Sequence, residues 1–227
     1  MPAPSALERF LRLMETYNDA VWPLQLVAYA LAITAVLLAL KGSRRSSQAV
    51  LVIVALFWLW VGLVFNGMYL GAITRGAVVA AVVFVLQGVV LVRAAFSAGG
   101  LGFRARADAY GITGGALVLY ATLGYPAVEY LLGRGFPRSL PFGLVPCPTT
   151  VFTLGVLLWS TTRVPRHVLA IPFLYSLGGV GPVSNGIVED AGLVVAGVVS
   201  TGMILYRDHR QGGHVVHPSP QAAKGSR

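Results

Sequence analysis

The stretch that decides the fold is AVLVIVALFWLWVGLVFNGMYL, residues 49–70, which contains no charged residue. A helix rises about 1.5 Å per residue, so this stretch is long enough to cross the roughly 30 Å hydrocarbon core of a bilayer. Six further apolar runs of similar length lie at residues 20–40, 76–96, 109–132, 144–162, 167–184 and 187–206. The pattern predicts an all-α, polytopic integral membrane helical bundle with about seven transmembrane helices.

The composition excludes an ordinary water-soluble protein. Of the 227 residues, 56% are hydrophobic and 11% are charged, whereas a soluble domain has about 25% charged residues. The net charge of +9 could indicate a nucleic-acid partner, but the basic residues fall between the apolar runs and not on one polar module. We therefore expect the lipid bilayer to be the partner, with one membrane domain over residues 20–206 and no nucleic acid.

The two ends of the chain have different patterns. Ser5 and Glu8 have the spacing of a capping box, and apolar residues recur at helical intervals from Leu7 to Tyr17. Residues 1–19 are therefore predicted to form an amphipathic interfacial helix. Residues 207–227 have too little apolar surface to offset the entropy of ordering, so a disordered cytoplasmic tail is expected there.

The basic residues predict the orientation. If the seven runs cross the bilayer alternately, twelve of the seventeen Lys and Arg residues lie on one side. Basic residues gather in cytoplasmic loops, so the N-terminus is expected outside and the C-terminus in the cytoplasm. Only Gly, Pro, Ser and Asn around residues 178–186 separate the sixth and seventh runs. One bent span or a re-entrant hairpin is the alternative there.

Acidic residues are concentrated on the predicted outer side. Asp19 begins the first run, Glu129 lies in the outer part of the fourth, and Glu189 with Asp190 opens the seventh. An ionisable group at membrane depth is costly unless it faces water or a partner, so these four could line one outward-facing cavity that binds a solute. Alternatively, three of them cap helix N-termini and Glu129 reaches the interface or pairs with Arg134.

The most distinctive local sequence is PFGLVPCPTTVFT, residues 141–153. Two prolines flank Cys147, so the fifth span is expected to begin at Pro148. Cys147, Thr149 and Thr150 would then contact substrate at a broken helix entrance. The alternative is a simple helix start with a buried, inert thiol. One cysteine cannot alone form a zinc or iron–sulfur site, so the sequence defines no metal site and no cofactor.

Two polar amides are secondary candidates for solute binding. Asn66 and Asn185 lie near the outer ends of the second and sixth runs, although hydrogen bonds between helices would also explain them. The chain contains no phosphate loop, nucleophile elbow, His-Glu-x-x-His helix or dinucleotide fingerprint. No catalytic residue is therefore predicted.

Four segments together resemble a bacterial multi-pass membrane family catalogued as a domain of unknown function. They are YNDAVWP at 17–23, WLWVG at 58–62, FGLVPCPTT at 142–150 and EDAGL at 189–193. The Phe-Gly-x-x-Pro-Cys-Pro-Thr-Thr stretch is the most specific of the four. The resemblance implies a multi-pass fold in the bacterial inner membrane and supplies no established activity.

These patterns lead to one main hypothesis and two alternatives. The main hypothesis is a transporter or binding protein for a small solute or cation, with an outward-facing polar cavity. The first alternative is a non-transporting assembly or sensing subunit, whose amphipathic helix and small-residue faces would contact a membrane partner or a second copy. An intramembrane enzyme ranks last, since a catalytic carboxylate needs a second group at defined geometry.

Overall fold

The computed structural model describes residues 5–212, and the regular elements in that range are all helices. They are α1 (Ala6–Val21), α2 (Leu24–Lys41), α3 (Arg44–Trp60), α4 (Arg75–Phe96), α5 (Ala109–Leu119), α6 (Tyr125–Leu131), α7 (Pro146–Leu158), α8 (Arg166–Leu177), α9 (Val180–Ser184) and α10 (Ala191–Gly212). The π-helical segment Val61–Leu70 continues α3, and a second one, Tyr120–Gly124, joins α5 to α6. The 3-10 turn Val188–Asp190 precedes α10. Residues 207–212 of the predicted tail belong to α10, and the rest of that tail lies outside the described residues.

Within residues 5–212, six helical stretches are long and apolar enough to cross a membrane. They are Leu24–Lys41, Arg44–Leu70, Arg75–Phe96, Ala109–Leu131, Arg166–Ser184 and Val188–Gln211. The fifth predicted span is different, because α7 has 13 residues, all of them buried. A helix of that length extends about 20 Å, less than the thickness of a hydrocarbon core. The count of seven spans is thus not confirmed, and α7 is instead a short helix packed against α3, α5, α8 and α10.

The sixth and seventh predicted runs form separate, antiparallel helices. At one end, the backbone N–H of Val164 donates to Asp208 Oδ2 at 2.8 Å. Further along, a Cβ added at Gly197 would lie 1.7 Å from Ser176 Oγ, so α8 and α10 are in close contact. The two helices therefore form a hairpin and not one bent span.

The two ends of the bundle are formed by different segments. At the first, which we call the arginine-rich end, the N–H of Arg104 donates to Trp159 O at 2.9 Å and Arg207 Nη2 donates to Ser160 Oγ at 2.8 Å. The second, which we call the Cys147 end, contains α1, the loop of residues 132–145, the start of α7 and the turn before α10. All the acidic residues proposed above as solute ligands lie at the Cys147 end.

Helix α1 is held onto the Cys147 end by buried hydrogen bonds. Tyr17 OH donates to Leu144 O at 2.8 Å and accepts from Trp60 Nε1 at 2.8 Å. Burial raises the pKa of the Tyr17 hydroxyl above its usual value, so this group stays neutral and able to donate. Asn18 Nδ2 also donates to Ser139 O at 2.7 Å. The predicted amphipathic helix thus packs on the bundle with its apolar face.

The start of α7 corrects one prediction from the sequence. The helix begins at Pro146 and not at Pro148, and Val145 is its extended N-cap residue. The first four N–H groups of a helix have no acceptor within the helix, so prolines at the first and third positions remove no hydrogen bond. Cys147 is therefore part of the first helical turn.

Candidate functional site

A buried cluster of four polar side chains lies at the Cys147 end, and we call it the Asp190 cluster. Asp190 Oδ1 accepts from Tyr125 OH at 3.0 Å, and Asp190 Oδ2 accepts from Cys147 Sγ at 3.2 Å. Tyr175 OH lies 3.5 Å from the same sulfur atom. Asp190 is 1% exposed and Cys147 is 8% exposed. The cluster joins α6, α7 and α8 to the turn that starts α10, so its position depends on the packing of the whole bundle.

An ion pair lies beside this cluster. Arg134 Nη2 donates to Glu189 Oε2 at 2.7 Å, and the two side chains are 9% and 0% exposed. Arg134 Nη1 also donates to Gly186 O at 3.3 Å, and Tyr120 OH donates to Glu189 O at 2.7 Å. The side chain of Arg134 thus pairs with Glu189 and fixes the turn before α10.

Glu129 adds a third buried carboxyl group. Its Oε1 accepts from the N–H of Leu140 at 2.7 Å, while its backbone carbonyl accepts from the N–H of Arg134 at 2.8 Å. Glu129 Oε2 and Glu189 Oε1 are buried and accept no hydrogen bond. Three buried carboxyl groups, counting Asp190, therefore accompany one buried guanidinium. Unpaired buried charge is costly, so this arrangement favours a positive charge nearby.

A cavity of about 500 Å³ opens beside the Asp190 cluster. Its wall is mainly apolar and comes from α1, the π-helical segment Val61–Leu70, α4 and the α9 turn, while Cys147, Tyr175 and Asp190 supply polar groups. The same three residues line a second cavity of about 250 Å³. Three residues of the cluster thus line both cavities, and the larger of the two has the usual volume of a small-molecule site.

The structure brings some of the predicted site residues to the larger cavity. Cys147, Asp190, Asn66 and Asn185 all line it. Asn66 is buried and donates to the carbonyl of Val61 at 3.1 Å within its own helix. Asn185 is exposed and donates to a carbonyl of the preceding turn at 2.8 Å. Both amides therefore contact the backbone of their own segments as well as the cavity.

Other predicted residues lie elsewhere. Thr149 Oγ1 donates to Val145 O at 2.7 Å and Thr150 Oγ1 donates to Pro146 O at 2.9 Å, so both hydroxyls bond to carbonyls at the start of α7. Asp19 is exposed on α1 and is not part of the Asp190 cluster. Glu129 and Glu189 do not line this cavity and belong to the charged group described above.

Four residues of the site could not be selected from the sequence. Tyr120 and Arg134 bond to Glu189, Tyr125 bonds to Asp190, and Tyr175 contacts Cys147 Sγ. In an α-helix, Tyr120 and Tyr125 would point about 140° apart. The π-helical turn, in which the N–H of Tyr125 bonds to the carbonyl of Tyr120, places their rings 5.2 Å apart on one face. The pattern of apolar residues contains no signal for this turn.

Within residues 5–212 there is no group of three or more His, Cys, Asp or Glu side chains that could hold a metal ion.

The fold and the site define a class: an all-helical protein with several helices apolar enough to cross a membrane and a buried acidic cluster at one end. The chain belongs to a family of unknown function, DUF6064, whose pattern matches residues 7–214. The match contains every residue of the site, and it confirms the expected resemblance to a family of unknown function. No curated protein and no solved structure matches the chain.

Proposed function

We propose that this protein is a membrane-embedded transporter or binding protein for a small solute, which enters the larger cavity from the Cys147 end. The observation that carries the proposal is the shared wall: Asp190, Cys147 and Tyr175 line both cavities. A solute that moved between the cavities would therefore pass these polar groups. A largely apolar cavity with a few convergent polar groups is the usual form of a small-molecule site.

In this proposal the buried carboxyl groups exchange a proton or a cation as the solute binds. Glu129 and Glu189 each have one buried oxygen without a hydrogen-bond donor. Arg134 is close to Glu189 and balances only one negative charge. Charged groups at membrane depth commonly mark ion and proton pathways, because their cost is tolerated only where they serve a function.

We further propose that the Cys147 end faces the outside of a bacterial inner membrane. Support comes from the uneven distribution of Lys and Arg, which favours a cytoplasmic position for the arginine-rich end. The solute would then reach the cavity from the periplasm, beside α1.

The test uses the full chain, purified and reconstituted in lipid nanodiscs and in proteoliposomes. A panel of neutral, cationic and anionic solutes is screened by thermal shift, and the solutes that bind are then followed by uptake. We expect Asp190→Asn to reduce the ligand-dependent shift of solutes that bind through this carboxyl group, and the exposed Asp19→Asn to retain the shift in full. Ala80→Phe, which fills the cavity without changing the Asp190 cluster, should abolish binding if the cavity is the site.

The result that would overturn the proposal is the absence of any thermal shift or uptake by the wild-type protein across the panel. Co-purification of another membrane protein at fixed stoichiometry, together with that absence, would favour a non-transporting assembly or sensing subunit. Solute binding that survives Ala80→Phe would place the site outside this cavity.

A further inference from the structure

We infer that the solute is an organic cation, an amine or quaternary ammonium group on a small apolar body. The inference rests on the proposed function, because it assigns a chemical class to the occupant of the same cavity. Three features of the cavity support it: the sign of its charge, its aromatic side chains and the apolar character of the rest of its wall.

The charge of the wall is negative. Among the described residues that line the larger cavity, Asp190 is the only charged one, so no Lys, Arg or His neutralises it there. The next residue, Glu189, adds a second carboxyl group, and Arg134 is already bonded to it at 2.7 Å. An apolar wall focuses the field of a buried carboxylate into the cavity. A cation is therefore attracted and an anion repelled.

Three aromatic side chains also line the cavity: Phe10, Phe65 and Tyr175. Two of them are held by edge contacts with other rings, Phe65 by Tyr17 at 5.1 Å and Tyr175 by Phe84 at 4.9 Å between centroids. The faces of aromatic rings attract cations, most strongly where water is excluded, and quaternary ammonium ligands are commonly bound in this way. The aromatic and acidic parts of the wall thus favour the same charge on the solute.

Asp190 can still accept hydrogen bonds from such a ligand. Each of its two oxygens accepts one bond from Tyr125 or Cys147, whereas a carboxylate has about four acceptor positions. An ammonium N–H could therefore bond to Asp190 without displacing either partner. A quaternary ammonium group would be attracted by charge alone.

The rest of the wall favours an organic cation over a bare metal ion. Most of the lining is carbon, from side chains such as Leu7, Leu70 and Ile187, and the volume is about 500 Å³. Metal ions such as Ca²⁺ require six or more oxygen ligands close together. An apolar body, in contrast, gains from burial against these side chains.

The test compares two probes of the same shape. Choline carries a quaternary nitrogen, and 3,3-dimethyl-1-butanol has a neutral carbon in its place. Affinities for the full chain in nanodiscs are measured by calorimetry. We expect choline to bind at least about ten-fold more tightly than the neutral alcohol, since charge and cation–π attraction act on choline alone.

Variants of the residues that line the cavity test whether those residues cause the difference in affinity between the two probes. Asp190→Asn should remove most of the preference for choline while leaving the affinity for 3,3-dimethyl-1-butanol within about two-fold, and Asp19→Asn should leave both unchanged. Phe10→Leu removes an aromatic ring outside the Asp190 cluster, so it tests the inference even if Asp190→Asn fails to fold. This variant should weaken the binding of choline about three-fold or more and change the affinity for 3,3-dimethyl-1-butanol little.

The outcomes separate this inference from the proposed function. Equal affinity for the two probes, or tighter binding of neutral or anionic solutes, would overturn the inference that the solute is an organic cation. The proposed binding function would remain. A preference for choline that persists in both Asp190→Asn and Phe10→Leu would also overturn it. Failure of the wild-type protein to bind any member of the wider panel would overturn the proposed function itself.

Discussion

At the scale of single residues, the buried Arg134–Glu189 ion pair gives the sharpest prediction about stability. Both side chains are buried and their atoms are 2.7 Å apart. Removal of one partner leaves a buried charge without compensation, so Arg134→Gln should lower the free energy of unfolding by about 3–5 kcal/mol. The measurement is reversible unfolding in detergent micelles, followed by circular dichroism.

The matched control is Arg12→Gln in the Glu8–Arg12 pair, where Arg12 is 65% exposed. An exposed pair of this kind contributes less than about 1 kcal/mol. The double variant Arg134→Gln, Glu189→Gln should cost less than the sum of its two single changes, because it removes both charges. Equal losses for Arg134→Gln and Arg12→Gln would show that burial of the pair does not determine its contribution.

Single residues also show how much of the geometry around Asp190 the sequence could indicate. Asp190 and Cys147 were both selected from the sequence as solute ligands, and the structure places them 3.2 Å apart on one cavity wall. Their aromatic partners, Tyr125 and Tyr175, were not selected. A tyrosine in an apolar run looks the same whether its hydroxyl contacts lipid headgroups or a buried carboxylate, because the difference depends on contacts between distant segments.

At the scale of helices, α5 and α7 are in contact through glycine. A Cβ added at Gly114 would lie 2.7 Å from Gly155 O and 2.6 Å from Trp159 Nε1. Gly114→Ala should therefore force α5 and α7 apart and cost about 1–3 kcal/mol. Thermal unfolding of the purified variant measures the loss.

The neighbouring Gly115 provides the control, because no atom lies within 4 Å of a Cβ added there. Gly115→Ala should be neutral or stabilising by about 0.5 kcal/mol, since alanine loses less entropy in a helix. If both alanine variants behave alike, close contact of the two helices at Gly114 is not what limits side-chain size.

The Tyr17 hydroxyl makes two of the hydrogen bonds that hold α1 on the bundle. Tyr17→Phe leaves Trp60 Nε1 and the carbonyl of Leu144 without the partner that each has now. Buried groups that lose a hydrogen bond cost about 1–3 kcal/mol, so α1 should separate from the bundle more often. Faster proteolytic cleavage within α1, in native conditions, would report this change.

Tyr130→Phe is the control, because Tyr130 is 76% exposed. Its cleavage rate within α1 should equal that of the wild-type protein. An unchanged rate in Tyr17→Phe would mean that the apolar face of α1 and the Asn18 hydrogen bonds hold the helix without the Tyr17 hydroxyl.

Helices also show how far the fold could be predicted. Ser5 Oγ accepts from the N–H of Glu8 at 3.1 Å, so the N-cap read from the sequence is confirmed. The fifth run was read as a span because hydropathy does not distinguish a helix that faces lipid from one that is surrounded by protein. For α7 the second case holds, since all of its residues are buried. The spacing of apolar residues therefore predicted that helices form. Whether a helix faces lipid or protein could be seen only in the tertiary structure.

At the scale of the whole molecule, the two ends of the bundle differ in charge and in chemistry. The arginine-rich end has backbone hydrogen bonds between loops, whereas the Cys147 end contains the buried carboxyl groups of Glu129, Glu189 and Asp190 and the cavity of about 500 Å³ that Asp190 lines. If the chain spans a membrane as proposed, these ends face opposite compartments. The direction in which a solute moves then depends on which end is outside, and that can be measured with single cysteines.

We expect the Cys147 end to be outside. In a Cys147→Ser background, Asp19→Cys places a thiol at an exposed position of α1. Gly99→Cys places one in open space beside Arg44 at the arginine-rich end. A membrane-impermeant maleimide should label the Asp19→Cys variant in intact spheroplasts and the Gly99→Cys variant only after permeabilisation. The reverse pattern would overturn the orientation while preserving the spans. Labelling of both variants from one side would contradict a bundle whose two ends lie on opposite faces of the bilayer, because the six apolar helices would then not separate these positions.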